Sequence, residues 1–333
     1  IKDENWVSGD LNTTQEFKDK EGKLILKRTF ANDEFATTIP HDTYYVYDDF
    51  GNLTYVIPPL AKDINPNTLN ELCYQYKYDS KNRVVEKKLP GKQWEYLVYD
   101  KLDRVVLSGP VKTPFYHLTN DGWMVTKYDD FDRIIMTGWM TSASTITSSQ
   151  RKAKQDERDA QTIFSEVRLS NGITSAIPPI SANNPSHNYS NLVVPTSGYY
   201  ILSINYYDDY NFIDAPTNFS AVENQVVYYN NTTKPKGLLT GKWLRVLDNT
   251  TSQASSKKIT SYLLYDYKGR IIRSFEKNYE SSPGWTQVDS KLDFEGKTEY
   301  TVTSHRRTAN DPGALTITDY YTYTNQNNLL AHT

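Results

Sequence analysis

The stretch YDYKGRI, residues 265–271, decides how the rest of this 333-residue chain is read, because it recurs. With its positions numbered one to seven, close copies stand at 47–53 (YDDFGNL), 78–84 (YDSKNRV), 99–105 (YDKLDRV) and 128–134 (YDDFDRI). Looser copies stand at 207–213 (YDDYNFI), 292–298 (LDFEGKT), 18–24 (KDKEGKL) and 323–329 (YTNQNNL). Position five reads Gly22, Gly51, Asn82, Asp103, Asp132, Asn211, Gly269, Gly296 and Asn327. All nine are Gly, Asn or Asp, the residues that tolerate a left-handed backbone. Those three types make up only 67 of the 333 residues, so composition does not produce nine matches in nine. Position two is Asp19, Asp48, Asp79, Asp100, Asp129, Asp208, Asp266 and Asp293, with Thr324 in the ninth copy. A short acceptor there folds back onto backbone N–H groups two residues on and pins a turn.

Positions one and seven are mostly Tyr before the turn and Val, Ile or Leu after it, all strand formers. Residues approaching the turn alternate, as in Tyr74-Gln75-Tyr76-Lys77-Tyr78, with the two-residue period of a half-buried strand. Each copy therefore predicts a β-hairpin, and the chain an all-β array of consecutive hairpins. A hairpin this short buries no core alone, so neighbours must pair into a long antiparallel sheet, and strand twist makes such a sheet coil.

The steps between copies are 29, 31, 21, 29, 79, 58, 27 and 31 residues. The 58-residue step has room for one degenerate copy, and the 79-residue step holds an insertion. Within the insertion, residues 150–168 lack Gly and Pro. Ala153, Ala160, Ile163, Phe164 and Val167 there share one helical face, which predicts a helix of four or five turns. Residues 177–185 then read as an extended Pro-rich loop, and 249–256 as a mobile surface loop. The expected organisation is a repeat segment over 1–140, an insertion over 141–198 and a second repeat segment over 199–333 that continues the same sheet.

The phrase YDxxGR(V/I) at this spacing resembles the signature of RHS, or YD-repeat, proteins, over roughly residues 18–329, and its flanking phrases resemble RHS proteins of the Bacteroidota. The resemblance implies a sheet spiralling around a hollow. In bacterial toxins of that type the shell encloses a C-terminal effector, and related repeats build the cocoon of insecticidal toxin complexes and the shells of teneurins. It also implies a longer polypeptide, because the family's self-cleaving C-terminal core is not matched here; Asp311-Pro312-Gly313 lacks its context. The expected partners are then the rest of the same polypeptide, as toxin cargo, and a type IX secretion translocon or outer-membrane accessory proteins. The expected location is secreted or at the cell surface.

The formal net charge of −3 offers no basic field for nucleic acid, and no apolar stretch reaches the length of a membrane helix. Neither nucleic-acid binding nor membrane insertion is expected. The lone Cys73 excludes internal disulfides and reads as a buried structural thiol. His41, His117, His187, His305 and His332 have no metal-ligand spacing and read as surface or loop residues. The repeated aspartates could suggest paired-carboxylate hydrolysis, but their fixed place before the turn explains them as turn acceptors. The doublets Asp48-Asp49, Asp129-Asp130 and Asp208-Asp209 lack the ligand series of a calcium loop. No catalytic, cofactor or metal site is expected. An exposed aromatic platform of Trp94, Trp123, Trp139, Trp243 and Trp285 for sugar competes with plain sheet packing. An adhesin that binds through loops inserted in the scaffold is the alternative to a non-catalytic shell.

Overall fold

The computed structural model describes residues 1–116, 118–173, 184–230, 232–247, 257–278, 284–324 and 326–333. Among them are twenty strands and two helices, and hydrogen bonding assigns eighteen of the strands to one antiparallel sheet. The chain is all-β, as the alternation and turn chemistry predict. The remaining strands, Arg168–Ile173 and His187–Tyr189, pair with each other. Residues 177–183 and 249–256 of the predicted loops, and His117, lie outside the described residues.

The chain divides into two compact units. One holds residues 1–99, 108–110 and 146–157. Its strands Thr14–Lys18, Leu24–Asn32, Thr38–Tyr47, Leu53–Ile57, Tyr74–Tyr78, Val84–Lys88 and Glu95–Tyr99 pair with their neighbours in chain order. The short helix Pro66–Leu72 interrupts them. Its start is written in Asn65-Pro66: the Asn65 carboxamide accepts from the N–H groups of Asn67 and Thr68, and proline opens the first turn. Cys73, just after this helix, is fully buried, and burial pushes its thiol pKa up, so it packs as an unreactive thiol. Gln155, on the second helix, binds both the N–H and the C=O of Tyr99 (3.0 and 2.8 Å).

The other unit holds residues 100–107, 111–145 and 158–333. Strand Ile134–Thr141 pairs on one side with Gly122–Tyr128 and on the other with Tyr199–Tyr207. Strands that are 57 residues apart in the chain are thus neighbours in the sheet. Strands Leu239–Arg245, Lys258–Tyr265, Ile271–Lys277, Trp285–Leu292, Thr298–Arg306, Leu315–Tyr323 and Leu329–His332 continue the ladder. Trp123, Trp139 and Trp243 are buried, while Trp94 and Trp285 are half-buried. Trp123 and Trp139 face Met140 and Met124 across one hairpin, so packing, and not an exposed platform, accounts for them.

The second helix is shorter than its apolar spacing predicts. It runs Ser148–Asp159 and ends before Ile163, Phe164 and Val167. Beyond Asp159 the backbone is claimed by other partners. The Phe164 carbonyl accepts from Arg104, the Glu166 N–H donates to the Tyr128 carbonyl, and Val167 pairs with Ser190. Helical hydrogen bonds compete poorly with so many tertiary ones.

Candidate functional site

Each position of the recurring phrase has a distinct task at the hairpin end. In the copy at Asp79, the Asp79 N–H donates to the Arg83 carbonyl and the Asn82 N–H to the Asp79 carbonyl, both at 3.0 Å. One carboxylate oxygen, Oδ1, accepts the N–H groups of Lys81 (2.9 Å) and Arg83 (3.0 Å). The same double acceptance occurs at Asp19, Asp48, Asp100, Asp129 and Asp266. Asp293 accepts instead from Gly296 and Lys297, and Thr324 substitutes its hydroxyl. The three-residue loop ends in a left-handed residue: φ is 83° at Gly51, 59° at Asn82, 63° at Asp103, 61° at Asp132, 75° at Gly269 and 101° at Gly296. At Gly269 the nearest atom to an added Cβ is Leu238 Cδ1 at 3.6 Å, so space is not limiting. Gly269→Val should therefore destabilise through backbone conformation alone, by about 1–2 kcal/mol. Unchanged thermal unfolding of that variant would remove the turn assignment.

The arginine at position six uses the other carboxylate oxygen. Nε of Arg83, Arg104, Arg133 and Arg270 lies 2.7–2.8 Å from Oδ2 of Asp79, Asp100, Asp129 and Asp266. The rest of the guanidinium reaches forward. Arg104 donates to Asp132, Arg133 grips both oxygens of Asp208, and Arg270 binds the carbonyls of Asp293 and Phe294. These contacts hold the Arg133 guanidinium pKa above its ordinary value and the Asp208 carboxyl below its own. The tyrosine at position one reaches back. Its hydroxyl donates to the position-seven carbonyl of the hairpin before: Tyr47 to Leu24, Tyr78 to Leu53, Tyr99 to Val84, Tyr128 to Val105, Tyr207 to Ile134 and Tyr323 to Thr298. Arg83, Arg104 and Arg133 lie 4.3–4.7 Å from the ring centroids of Tyr99, Tyr128 and Tyr207, a cation–π stack within each clamp. Burial raises the phenol pKa values, that of Tyr265 to about 12, which keeps these hydroxyls protonated as donors. Sequence reading missed this division of labour, because the tyrosine hydroxyls and the forward contacts of Arg104, Arg133 and Arg270 act on a copy other than their own.

The copy at 207–213 corrects one assignment. Asn211 does not have a positive φ; Asp208 does, at 73°, and its N–H donates to the Leu238 carbonyl. The Asp208 carboxylate accepts the N–H of Gly237, whose φ is 82°. Tyr207 pairs with Leu239, and the Tyr265 hydroxyl donates to the Leu239 carbonyl at 2.6 Å. The turn is thus a split copy: Tyr207 and Asp208 supply positions one and two, and Gly237, Leu238 and Leu239 supply positions five to seven. The 58-residue step contains residues 209–236 inserted in a turn, and not a degenerate copy. Tyr210, Val222 and Val227 of that insertion pack with Leu264 and Ile272. A further copy escaped the reading at Asp33, which accepts from Phe35 and Thr37 and precedes Ala36 at φ 58°. Alanine in position five hides it.

Behind the Asp129 hairpin lies a buried ion pair. Lys127 Nζ contacts Glu166 Oε1 (2.8 Å), Asn191 Oδ1 (2.8 Å) and the Val193 carbonyl (2.9 Å). Glu166 also accepts from the Ser190 hydroxyl and the N–H groups of Leu192 and Val193. His187 nearby is buried, which corrects its reading as a surface residue. Arg168 lies 4.9 Å from the ring centroids of both Tyr189 and Tyr206, which stack on each other, and donates to Asp209 and the Asn211 carbonyl. Among the described residues no group of three or more His, Cys, Asp or Glu is placed to hold a metal ion, and no helix is long and apolar enough to cross a membrane.

No family model and no curated protein matches the chain. Solved structures do. A crystal structure of TcdB2-TccC3 without its hypervariable C-terminal region matches at 12% identity with a TM-score of 0.31, covering 96% of this chain and 16% of that one. A Tc holotoxin pore of Photorhabdus luminescens carrying a TccC3 variant matches at 12% identity and a TM-score of 0.33, covering 99% of this chain and 17% of that one. A TcdB2-TccC3-TEV structure matches at 14% identity and a TM-score of 0.30, covering 96% and 15%. The chain spans about a sixth of the length of the structures it matches.

Proposed function

We propose that this chain is a non-catalytic wall segment of a secreted or cell-surface RHS/YD-repeat protein, one that encloses or presents another part of the same polypeptide. One observation carries the reading: Arg104 and Arg133 each hold their own turn aspartate and an aspartate of the next hairpin, so the repeated charges are committed to joining neighbours. A toxin effector is the class of contents the repeat resemblance supplies, and a type IX translocon of the Bacteroidota the route. Exposed Leu315, Ile317, Tyr320, Leu329 and Leu330 near the last strands give apolar surface for such contents or for further repeats.

Limited proteolysis of the parent polypeptide tests this. Contents shielded in the unaltered protein should become cleavable when the Arg133 clamp is opened by Arg133→Ala. Equal cleavage in both would sink the shell. The adhesin reading gains only if deleting residues 141–198 abolishes attachment to cells while leaving cleavage unchanged.

A further inference from the structure

We propose that Lys127 and Asn191 become joined by an intramolecular amide bond after folding, with Glu166 carrying the proton. The three side chains meet as nucleophile, electrophile and base. Lys127 Nζ stands 2.8 Å from Asn191 Oδ1 and 2.8 Å from Glu166 Oε1, and the side chains of Lys127 and Glu166 have no exposed surface. Asn191 Nδ2 donates to the Thr196 carbonyl at 2.7 Å, which turns the amide oxygen inward and the nitrogen toward the outside. The Tyr199 hydroxyl donates to that inward oxygen at 3.2 Å.

Burial of Lys127 favours its neutral amine, the form in which a lysine is a nucleophile. The step begins when the ammonium passes one proton to Glu166, giving an amine and a carboxylic acid. The amine lone pair then attacks Asn191 Cγ and a C–N bond forms. The carbonyl electron pair moves onto Oδ1, where the Tyr199 hydroxyl stabilises the developing charge. Once Cγ is tetrahedral, Nδ2 has to swing off the Thr196 carbonyl; Glu166 then gives it the proton and takes one from Nζ. The Cγ–Nδ2 bond breaks, and ammonia departs toward the side where Asn191 is partly exposed. Ammonia finally removes the proton from Glu166, so an ammonium and an amide have become an amide and an ammonium, with no oxidant or cofactor. The product ties strand Gly122–Tyr128 to the returning limb of the insertion across 64 residues of chain. It stands independently of the wall reading.

The purified chain itself is the test. Its intact mass should fall short of the sequence mass by one ammonia, and protease digestion should release a branched peptide joining the Lys127 and Asn191 segments. Lys127→Arg, Asn191→Ala and Glu166→Gln should each restore the full mass. An unaltered protein of full mass after prolonged incubation overturns the proposal whether or not any variant folds. So does an ammonia loss that persists in Lys127→Arg, which would be succinimide formation at an asparagine. A crosslink that persists in Glu166→Gln overturns the role of Glu166.

Discussion

Replacing Asp100 by alanine should cost about 3–5 kcal/mol of folding free energy, far more than the same change at Asp19. The Asp100 side chain has no exposed surface and that of Arg104 only 9%. Its carboxylate accepts the N–H groups of Leu102 and Arg104 and two guanidinium nitrogens of Arg104. Removing it orphans two backbone donors and leaves a cation facing a hole, the costly way to break a buried pair. Arg104 would retain Asp132, the Phe164 carbonyl and the Tyr128 ring, but of these only Asp132, which is itself exposed, carries a compensating charge. Asp19 caps its turn in the same manner, but Lys23 at position six pairs with Glu21 and not with Asp19. Asp19→Ala should thus lose only a cap, about 1 kcal/mol. Urea unfolding of the two variants decides the matter. Losses within 1 kcal/mol of each other would mean that the clamp adds nothing to the turn.

The contrast also marks what a single copy of the phrase reveals. Left-handed position five and the acceptor at position two are local, so Asp79 and Asn82 could be read from the spacing of their letters. The forward grip of Arg133 on Asp208 crosses 75 residues, and the backward hydrogen bond of Tyr128 crosses 23. No spacing rule states those distances, because they depend on which hairpins become neighbours. Asn211 misled for the same reason. It follows an aspartate at the expected interval, yet the residue that completes the turn is Gly237, 29 positions after Asp208. The end of the helix at Asp159 was likewise invisible, since Arg104, Tyr128 and Ser190, all distant in sequence, claim the backbone that would have continued it. Lys127, Glu166 and Asn191 carry no local signature at all.

His187 should make stability fall as pH drops from 6.5 toward 4. Its pKa is pushed down to about 4, first by burial and second by the positive charge of Lys127, with Glu166 opposing. His187 is 2% exposed, and its Nδ1 accepts the N–H of Tyr189, so the imidazole is held neutral. In the unfolded chain the ring titrates near pH 6.5, and below that pH the unfolded state binds a proton the folded state refuses. The contribution is therefore fully present above pH 6.5 and is lost as pH falls to the folded value, about 3 kcal/mol in all. The turn carboxylates Asp79, Asp208 and Asp266 are shifted the other way relative to their charge: their lowered pKa values keep them ionised, and their contribution disappears only in more acid solution, below the ordinary carboxylate value of 3.8. The two windows separate. Unfolding free energies at pH 7.5 and 4.5 should differ in the unaltered chain, and His187→Gln, uncharged at both, should remove most of that difference. Because burial outweighs the charge of Lys127, the histidine window should survive conversion of that lysine to an amide. An equal loss of stability in His187→Gln would place the acid sensitivity elsewhere.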